Sequence, residues 1–421
     1  MLKNNLKEIA VIGQGYVGLP LAIRAAEVGY LVYGVEKEKR RLELLKQGTS
    51  YIGDISSEIV QKYLDRNYFP IPPEELKQYD VAVITVPTPL HDGEPDLSYV
   101  IDAVDLLGRS LRKGALVILE STTYPGTTEE ILCPRLEQAT GLIAGIDFYV
   151  GYSPERIDPG NKIWQLSNTP KIISGINKES LERVRDFYSK LVQTVVVTKG
   201  TKEAELAKLL ENTFRQVNIA LVNELMMHTK QLDVDIWNAI EAAATKPFGF
   251  MPFYPGPGVG GHCLPVDPVY LSWKIRNLNR QGVRLVELAN EINSMMPDFV
   301  IKRVTEILNN SGKSVKGSKI LCYGLAYKAD TSDLRESPAY EVVLELLRLG
   351  AEIKVIDGFV NPSELDPLIT LISKSEANHQ EYDLVAILTD HSDIDYNNLA
   401  KEARQVLDTR HIVSGDNVYY L

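Results

Sequence analysis

The sequence predicts an α/β protein in which two doubly wound, Rossmann-like domains are joined by a central helical domain with one long helix. Three observations carry this. Short apolar runs alternate with amphipathic stretches from residue 6 to about residue 200, the rhythm of a parallel sheet covered on both faces. From Thr201 to Lys246 there is neither Gly nor Pro, and apolar residues recur at three- and four-residue spacing. Near Gly317 the β–α–β rhythm restarts, and Tyr382–Thr389 echoes Tyr79–Thr85, a weak internal duplication. A chain of 421 residues also exceeds what one core usually spans. The expected domains are residues 1–200, 201–310 and 311–421.

In the first domain Glu8–Ile12, Leu31–Val35, Asp80–Thr85, Ala115–Leu119 and Asp147–Gly151 read as strands, with helical stretches at Leu97–Arg112 and Thr127–Gln138. In the second, Leu206, Leu210, Phe214, Val217, Leu221 and Leu225 mark one face of a long helix, and a shorter helix follows near Val234–Ala244. A Pro/Gly-rich stretch from Lys246 to Pro268 reads as loop, and a helical region runs from about Val283 to Asn309. A helix this long usually buries its apolar stripe against a neighbour, so a homodimer or higher homo-oligomer is expected.

Composition narrows the function. Hydrophobic residues make up 44% and charged residues 24%, an ordinary globular balance that excludes disordered and low-complexity classes. The net charge of −11 argues against a nucleic-acid partner, though a local cationic pocket can still hold a phosphorylated small molecule. No apolar run reaches the roughly 18–20 residues that cross a bilayer, and Met1–Lys7 lacks the apolar core of a signal peptide. No membrane partner is expected. Cys133, Cys263 and Cys322 are widely spaced and form no CxxC pair, so neither a metal site nor a disulfide framework is indicated, and a reducing cytoplasm is the expected location.

The turn Gly13–Gly18, with Tyr16 and Val17 inside it, follows the first strand directly and opens a helix. Gly13 permits the tight turn, Gly15 lets the backbone approach a pyrophosphate, and Gly18 allows close helix–strand packing. The second strand ends at Glu36, 23 residues after Gly13, where a carboxylate can bind both ribose hydroxyls and repel a 2′-phosphate. NAD is therefore the expected cofactor. Lys37, Lys39, Arg40 and Arg41 follow and read mostly as a solvated helix face, with one of them, Arg41, expected to touch the adenosine side. Thr85–Pro89, including Pro87 and Thr88, and Glu120–Gly126, including Thr122, each sit just after a strand, at the ligand edge of an open sheet. Ordinary strand-to-loop punctuation fits either segment taken alone.

Cys263 lies in a loop of small residues, four positions before Asp267, a setting for covalent catalysis beside a carboxylate. Composition leaves a mere turn equally open, and His262 reads as a base or as structural. Lys208 and Asn212 are four apart and share a helix face, a pattern that a solvated surface also explains. Ser337 and Pro338 read as N-cap and first helical residue, beside Lys328 and Arg335, a setting that suits phosphate; a salt-bridged surface loop is the alternative.

Taken together, GQGYVGLP (13–20), VPTPL (86–90), ESTTYPGTT (120–128), SPER (153–156), KLLENTF (208–214), GPGVGGHC (256–263) and AYKADTSDLRESPA (326–339) resemble the nucleotide-sugar 6-dehydrogenases, the UDP-glucose/UDP-N-acetylhexosamine dehydrogenase family, over nearly the whole chain. The resemblance implies oxidation of a sugar C6 alcohol to a carboxylate with two NAD, through a thiohemiacetal and a thioester on Cys263. It implies that Lys208 and Asn212 handle protons and the developing oxyanion, that Asp267 assists the thiol or the hydrolytic water, and that Thr122 and Glu155 position water and substrate. Pro252, Phe253, Tyr254, Pro255, Gly256 and Gly260 would hold the sugar nucleotide, Lys328 its phosphates, and Arg335 would reach the cofactor or the domain seam. The third domain would bind UDP. It departs from the dinucleotide pattern, since Gly324–Lys328 keeps a single glycine.

Two departures bear on specificity and mechanism. UDP-glucose members typically carry a lysine where this chain has Val266, and members acting on 2-acetamido sugars share phrases such as ATKPFGFM (244–251). UDP-N-acetylglucosamine is the expected substrate, with its C2 epimer UDP-N-acetylmannosamine, then UDP-glucose, as alternatives. Pro159 stands where another family acid often lies, which leaves the hydrolytic base open. A two-electron hydroxyacid dehydrogenase would need no cysteine loop and no third domain. An NAD-sensing regulator would not need Lys208, Asn212, Cys263 and Asp267 together.

Overall fold

The computed structural model describes residues 7–157, 161, 163–261 and 263–421. His262 and Pro159 lie outside the described residues. The chain packs as two units, one of residues 1–211 with 269–280, the other of residues 212–268 with 281–421. The helical middle is shared between them, since its long helix Thr201–Thr229 starts in the first unit and continues in the second.

The first unit is built on β1 (Glu8–Ile12), β2 (Leu31–Val35), β3 (Tyr68–Ile71), β4 (Val81–Ile84), a small antiparallel hairpin of β5 (Leu90–His91) and β6 (Glu94–Pro95), then β7 (Leu116–Leu119), β8 (Tyr149–Tyr152), β9 (Lys171–Gly175) and β10 (Val195–Val197). Eight of these form one sheet in the order β10-β9-β8-β7-β4-β1-β2-β3. All its neighbours are parallel except β8 and β9. The central strands β1, β4 and β7 are apolar and buried almost throughout, as a sheet covered on both faces requires. Their C-terminal ends form the edge where open α/β sheets take ligands.

The second unit carries β11 (Lys319–Tyr323), β12 (Glu352–Ile356), β13 (Leu384–Ile387), β14 (Val406–Asp408) and β15 (Val418–Tyr420), all parallel, in the order β12-β11-β13-β14-β15. The internal duplication is physical. Gly13 N donates to Val35 O and Gly324 N to Ile356 O, both at 2.9 Å. In each unit a carboxylate just past the second strand receives the turn's amides: Gln14 N to Glu36 at 3.0 Å, and Leu325 N to Asp357 at 2.8 Å.

Three expectations shift in detail. The helical region after Val283 is two helices, Arg284–Ser294 and Met296–Asn310, because Pro297 lacks an N–H and begins a new helix. The stretch from Thr127 opens as a π-helical turn, Thr128–Leu132, before the helix Cys133–Thr140. Cys263, expected inside a loop, is the first residue of a helix, Cys263–Asn279. Leu264, Val266, Tyr270 and Ser272 have an interior to bury into, and Pro265 is tolerated in a first turn whose amides lack helical partners anyway.

Candidate active site

The dinucleotide turn has the shape its glycines imply. Gly13 sits at φ +91°, and a Cβ on Gly18 would lie 1.9 Å from Gly13 O, so only glycine is tolerated there. A Cβ on Gly15 would meet nothing within 4 Å, leaving open the face that a pyrophosphate approaches. Thr85 Oγ1 braces the turn by donating to Ile12 O at 2.9 Å and Gly13 O at 3.0 Å, and Tyr51 OH donates to Gln14 O at 2.7 Å. Glu36 is buried at the end of β2, and Arg41 lies over the Tyr51 ring, 5.5 Å from its centroid. These residues fit NAD: an open glycine face, a helix N-terminus and a buried acid at the end of the second strand. Pro87 and Thr88 follow β4 at the same edge, where Ser121 Oγ ties the two loops by donating to Val86 O at 2.7 Å.

The long helix organises the next two loops. Glu205 is fully buried and accepts from Gly126 N at 2.6 Å, Thr128 N at 2.9 Å and Thr128 Oγ1 at 2.7 Å. Burial pushes its carboxyl up to about 7, against the pull of these donors. Two turns on, Glu211 pairs with Arg156 at 2.8 Å. The helix thus grips the loop after β7, which carries Thr122, and the loop after β8, which carries Glu155. Lys208, between the two anchors, is nearly buried, so the solvated-face alternative does not describe it. Thr123, beside Thr122, was not singled out from sequence; its hydroxyl is buried without a partner among the described residues.

In the second unit Asn212 Nδ2 donates to Asp267 Oδ2 at 2.6 Å, and both side chains are buried. Asp267 lies one turn beyond exposed Cys263 on the same helix, so the two share a face. The structure therefore brings together Asn212, Asp267 and the start of the cysteine helix. The loop Pro252–Gly261 is seated by Asn223, whose Oδ1 accepts from Gly256 N at 3.1 Å and whose Nδ2 donates to Asn293 at 3.0 Å. Phe253 packs edge-to-face on Phe214, while Tyr254 is exposed. A Cβ on Gly260 would lie 2.6 Å from Tyr327 Cβ, and Gly261 N donates to Arg335 O at 3.0 Å. The glycine loop and the loop carrying Lys328 and Arg335 are thus in direct contact.

Ser337 caps the helix Pro338–Arg348 as its sequence suggests, and its Oγ donates to Leu325 O at 2.6 Å. Arg335 is held by Asp333 in a two-toothed contact, at 2.8 and 2.6 Å. Sequence reasoning missed Arg410. Its guanidinium would lie 3.3 Å from a Cβ on Gly256, in the glycine loop, and Nε donates to Leu388 O at 2.9 Å. The available signal was its position, two residues past Asp408 at the C-terminal end of β14.

Three family models match along the chain: the NAD binding domain of the UDP-glucose/GDP-mannose dehydrogenase family over residues 7–192, its central domain over 202–295 and its UDP binding domain over 321–419. The chain belongs to the UDP-glucose/GDP-mannose dehydrogenase family. This dehydrogenase is 36% identical to a UDP-N-acetyl-D-glucosamine 6-dehydrogenase from Salmonella typhi, covering 91% of this chain and 90% of that one. It is 35% identical to a UDP-N-acetyl-D-mannosamine dehydrogenase from Pyrococcus horikoshii, over 98% and 97% of the two chains. A solved UDP-D-ManNAc dehydrogenase structure from Pyrococcus horikoshii superposes with a TM-score of 0.88 at 33% identity, covering 98% of each chain. The dehydrogenase is an oxidoreductase that uses NAD and acts on a UDP-sugar. No described helix is long and apolar enough to cross a membrane.

Proposed function

We propose that the dehydrogenase oxidises C6 of a UDP-2-acetamido-hexose to the carboxylate, with UDP-N-acetylglucosamine as the preferred substrate. The observation that carries the acetamido assignment is Val266. It is buried and apolar, three residues past Cys263, where UDP-glucose members place a lysine. A buried ammonium suits a sugar hydroxyl, whereas a valine offers no polar partner and leaves room beside an apolar methyl group. The Salmonella typhi relative supports the gluco configuration. UDP-N-acetylmannosamine is the second reading, supported by the Pyrococcus horikoshii relative and its TM-score.

Bound NAD supplies the hydride acceptor for both oxidations. Lys208 takes the proton of the C6 hydroxyl, and Asn212, one helical turn on, donates a hydrogen bond to the developing oxyanion. Cys263 Sγ adds to the aldehyde carbon, converting a carbonyl that cannot give up hydride into a thiohemiacetal that can. Asp267, held by Asn212, accepts the thiol proton or steadies the water that later cleaves the thioester. Thr122 and Glu155 orient that water and the sugar. Lys328 neutralises the diphosphate, with Arg410 beside the glycine loop as a further cation.

A panel of UDP-glucose, UDP-GlcNAc, UDP-ManNAc and UDP-GalNAc, followed by NADH formation, tests the assignment. The acetamido sugars are expected to show kcat/KM at least about tenfold above UDP-glucose, the size of one lost or gained polar contact. UDP-GlcNAc is expected to lead, and two NADH should form per sugar acid. A higher kcat/KM for UDP-glucose overturns the assignment.

A further inference from the structure

We propose that Lys171 is a positioning residue for the hydrolytic half-reaction: from a buried seat between Glu120 and Glu155 it holds the Glu155 carboxylate fixed and ionised beyond the end of β8. The inference rests on the reading above that Glu155 orients the hydrolytic water. Lys171, Glu120, Glu155 and Tyr188 all lie in the first unit.

Three donors hold the Glu155 carboxylate. Lys171 Nζ lies 2.9 Å from Glu155 Oε2 and 3.0 Å from Glu120 Oε1, and its side chain is 3% exposed. Glu155 Oε1 accepts the amides of Arg156 and Ile157, both at 2.6 Å. A carboxylate has roughly four lone-pair sites, so three donors leave about one free for a water. On the far side Tyr188 OH donates to Glu120 Oε1, and the Lys171 ammonium sits 5.4 Å from the Tyr188 ring centroid. Glu120 Oε2 is buried and finds no partner among the described residues.

Topology explains how Lys171 arrives there. Glu120 directly follows β7 and Glu155 lies just past β8, both at the C-terminal edge of parallel strands. β9 runs antiparallel to β8, so its first residue, Lys171, returns to that same edge. Two buried ionisable groups and a partly buried third, with an unsatisfied oxygen, are a poor way to stabilise a core, because an apolar cluster of equal volume is commonly as stable or more so. That cost, placed at the ligand edge, points to function. Burial pushes the Glu155 carboxyl up, but Lys171 and the two amides more than offset it and hold it below its ordinary range. Burial instead dominates at Glu120, which is raised. Glu155 is thus suited to orient water as an anion rather than to store a proton. In the step it serves, water oxygen bonds to the thioester carbon and the carbon–sulfur bond breaks with its electron pair going to Cys263. One water proton passes to sulfur, and the new carboxylic acid releases its own to solvent.

The test uses the full chain with the UDP-N-acetylhexosamine that the wild type turns over fastest. Lys171→Met and Glu155→Gln should both give a burst approaching two NADH per site. Steady-state turnover should then fall ~10–100-fold, the usual effect of misplacing a reacting group. A thioester on Cys263 should be visible by intact-protein mass spectrometry, and Lys171→Arg should restore part of the rate. A loss of packing alone would lower the melting temperature without adduct. If Lys171→Met fails to fold, the double variant Lys171→Met/Glu120→Gln removes the stranded second carboxylate and carries the same expectation. Adduct in Glu155→Gln but not in the Lys171 variants overturns the positioning role while leaving the Glu155 reading intact. No adduct in Glu155→Gln overturns the reading on which it rests.

Discussion

Cys263 begins a helix, with Asp267 one turn below it and Asn212 fixing that carboxylate at 2.6 Å. A helix N-terminus favours negative charge, which is what sulfur carries when it attacks and when it leaves. Cys263→Ser should therefore keep NAD and UDP-sugar affinity while steady-state NADH formation falls by ~10³-fold or more, as loss of a nucleophile commonly does. Cys133 and Cys322, both buried, should tolerate Ala with a cost in stability only. Near-normal turnover in Cys263→Ser would return the residue to a structural role, and the three cysteine variants assayed together decide it. Glu36 makes the second prediction at this scale. It receives Gln14 N at 3.0 Å and Glu38 N at 2.9 Å, which fixes its carboxylate at the end of β2 where a ribose hydroxyl pair would lie. Glu36→Gln should narrow the preference for NAD over NADP by about tenfold, or about 1.4 kcal/mol. Comparable use of both cofactors by the unmodified enzyme would show that Glu36 does not read the ribose. Both residues were legible because each belongs to a local motif. Lys171 was not, because its partners lie 51 and 16 positions away and only the strand reversal at β9 brings them together.

At the scale of elements, the long helix is inverted relative to a simple amphipathic reading. Leu206, Leu210, Phe214, Leu221 and Leu225 form the apolar stripe, yet they are exposed in this chain, Leu210 by 60%. The buried face mixes Leu209, Ala220, Val222 and Met226 with Glu205, Lys208, Asn212, Gln216 and Asn223. Periodicity locates a face but not its partner. In the second sheet, Asp357 holds three loops at once. It accepts from Leu325 N, Ala326 N, Phe359 N and Val360 N at 2.8 to 3.2 Å, and His391 Nε2 lies 3.1 Å away. Burial alone would raise its carboxyl, but His391 and the amides draw it down to about 2. A lowered folded-state pKa stabilises above the unfolded value, near 3.8, and that stabilisation is lost as pH falls through about 2. Asp357→Asn should cost about 2 kcal/mol at neutral pH. Melting curves from pH 6 to pH 2 should show the gap from wild type closing below pH ~3.8. A gap that stays constant with pH would mean that the charge on Asp357 contributes nothing.

For the whole molecule, the exposed stripe needs a cover, and we propose a second copy of this chain. Leu221 and Leu225, 52% and 48% exposed, are far along the helix from Lys208 and so separate assembly from chemistry. The double variant Leu221→Asp/Leu225→Asp should weaken self-association at least ~10-fold, since each places a charge in an apolar contact. Light scattering across a dilution series reads the mass directly. A variant with the mass of the wild type at every concentration would remove this face as the interface.

Glycine turns, strand rhythm, the acid 23 residues past Gly13, the Ser337 cap and the cysteine stretch could all be read along the chain, because each depends on neighbours a few positions away. The direction of the long helix's stripe, the start of a helix at Cys263, the seating of Arg410 beside Gly256 and the buried Glu120–Lys171–Glu155 cluster could not. Each of these depends on groups far apart in sequence, and the Glu120–Lys171–Glu155 contacts also form at low dielectric, where an ion pair or a hydrogen bond is stronger than in water.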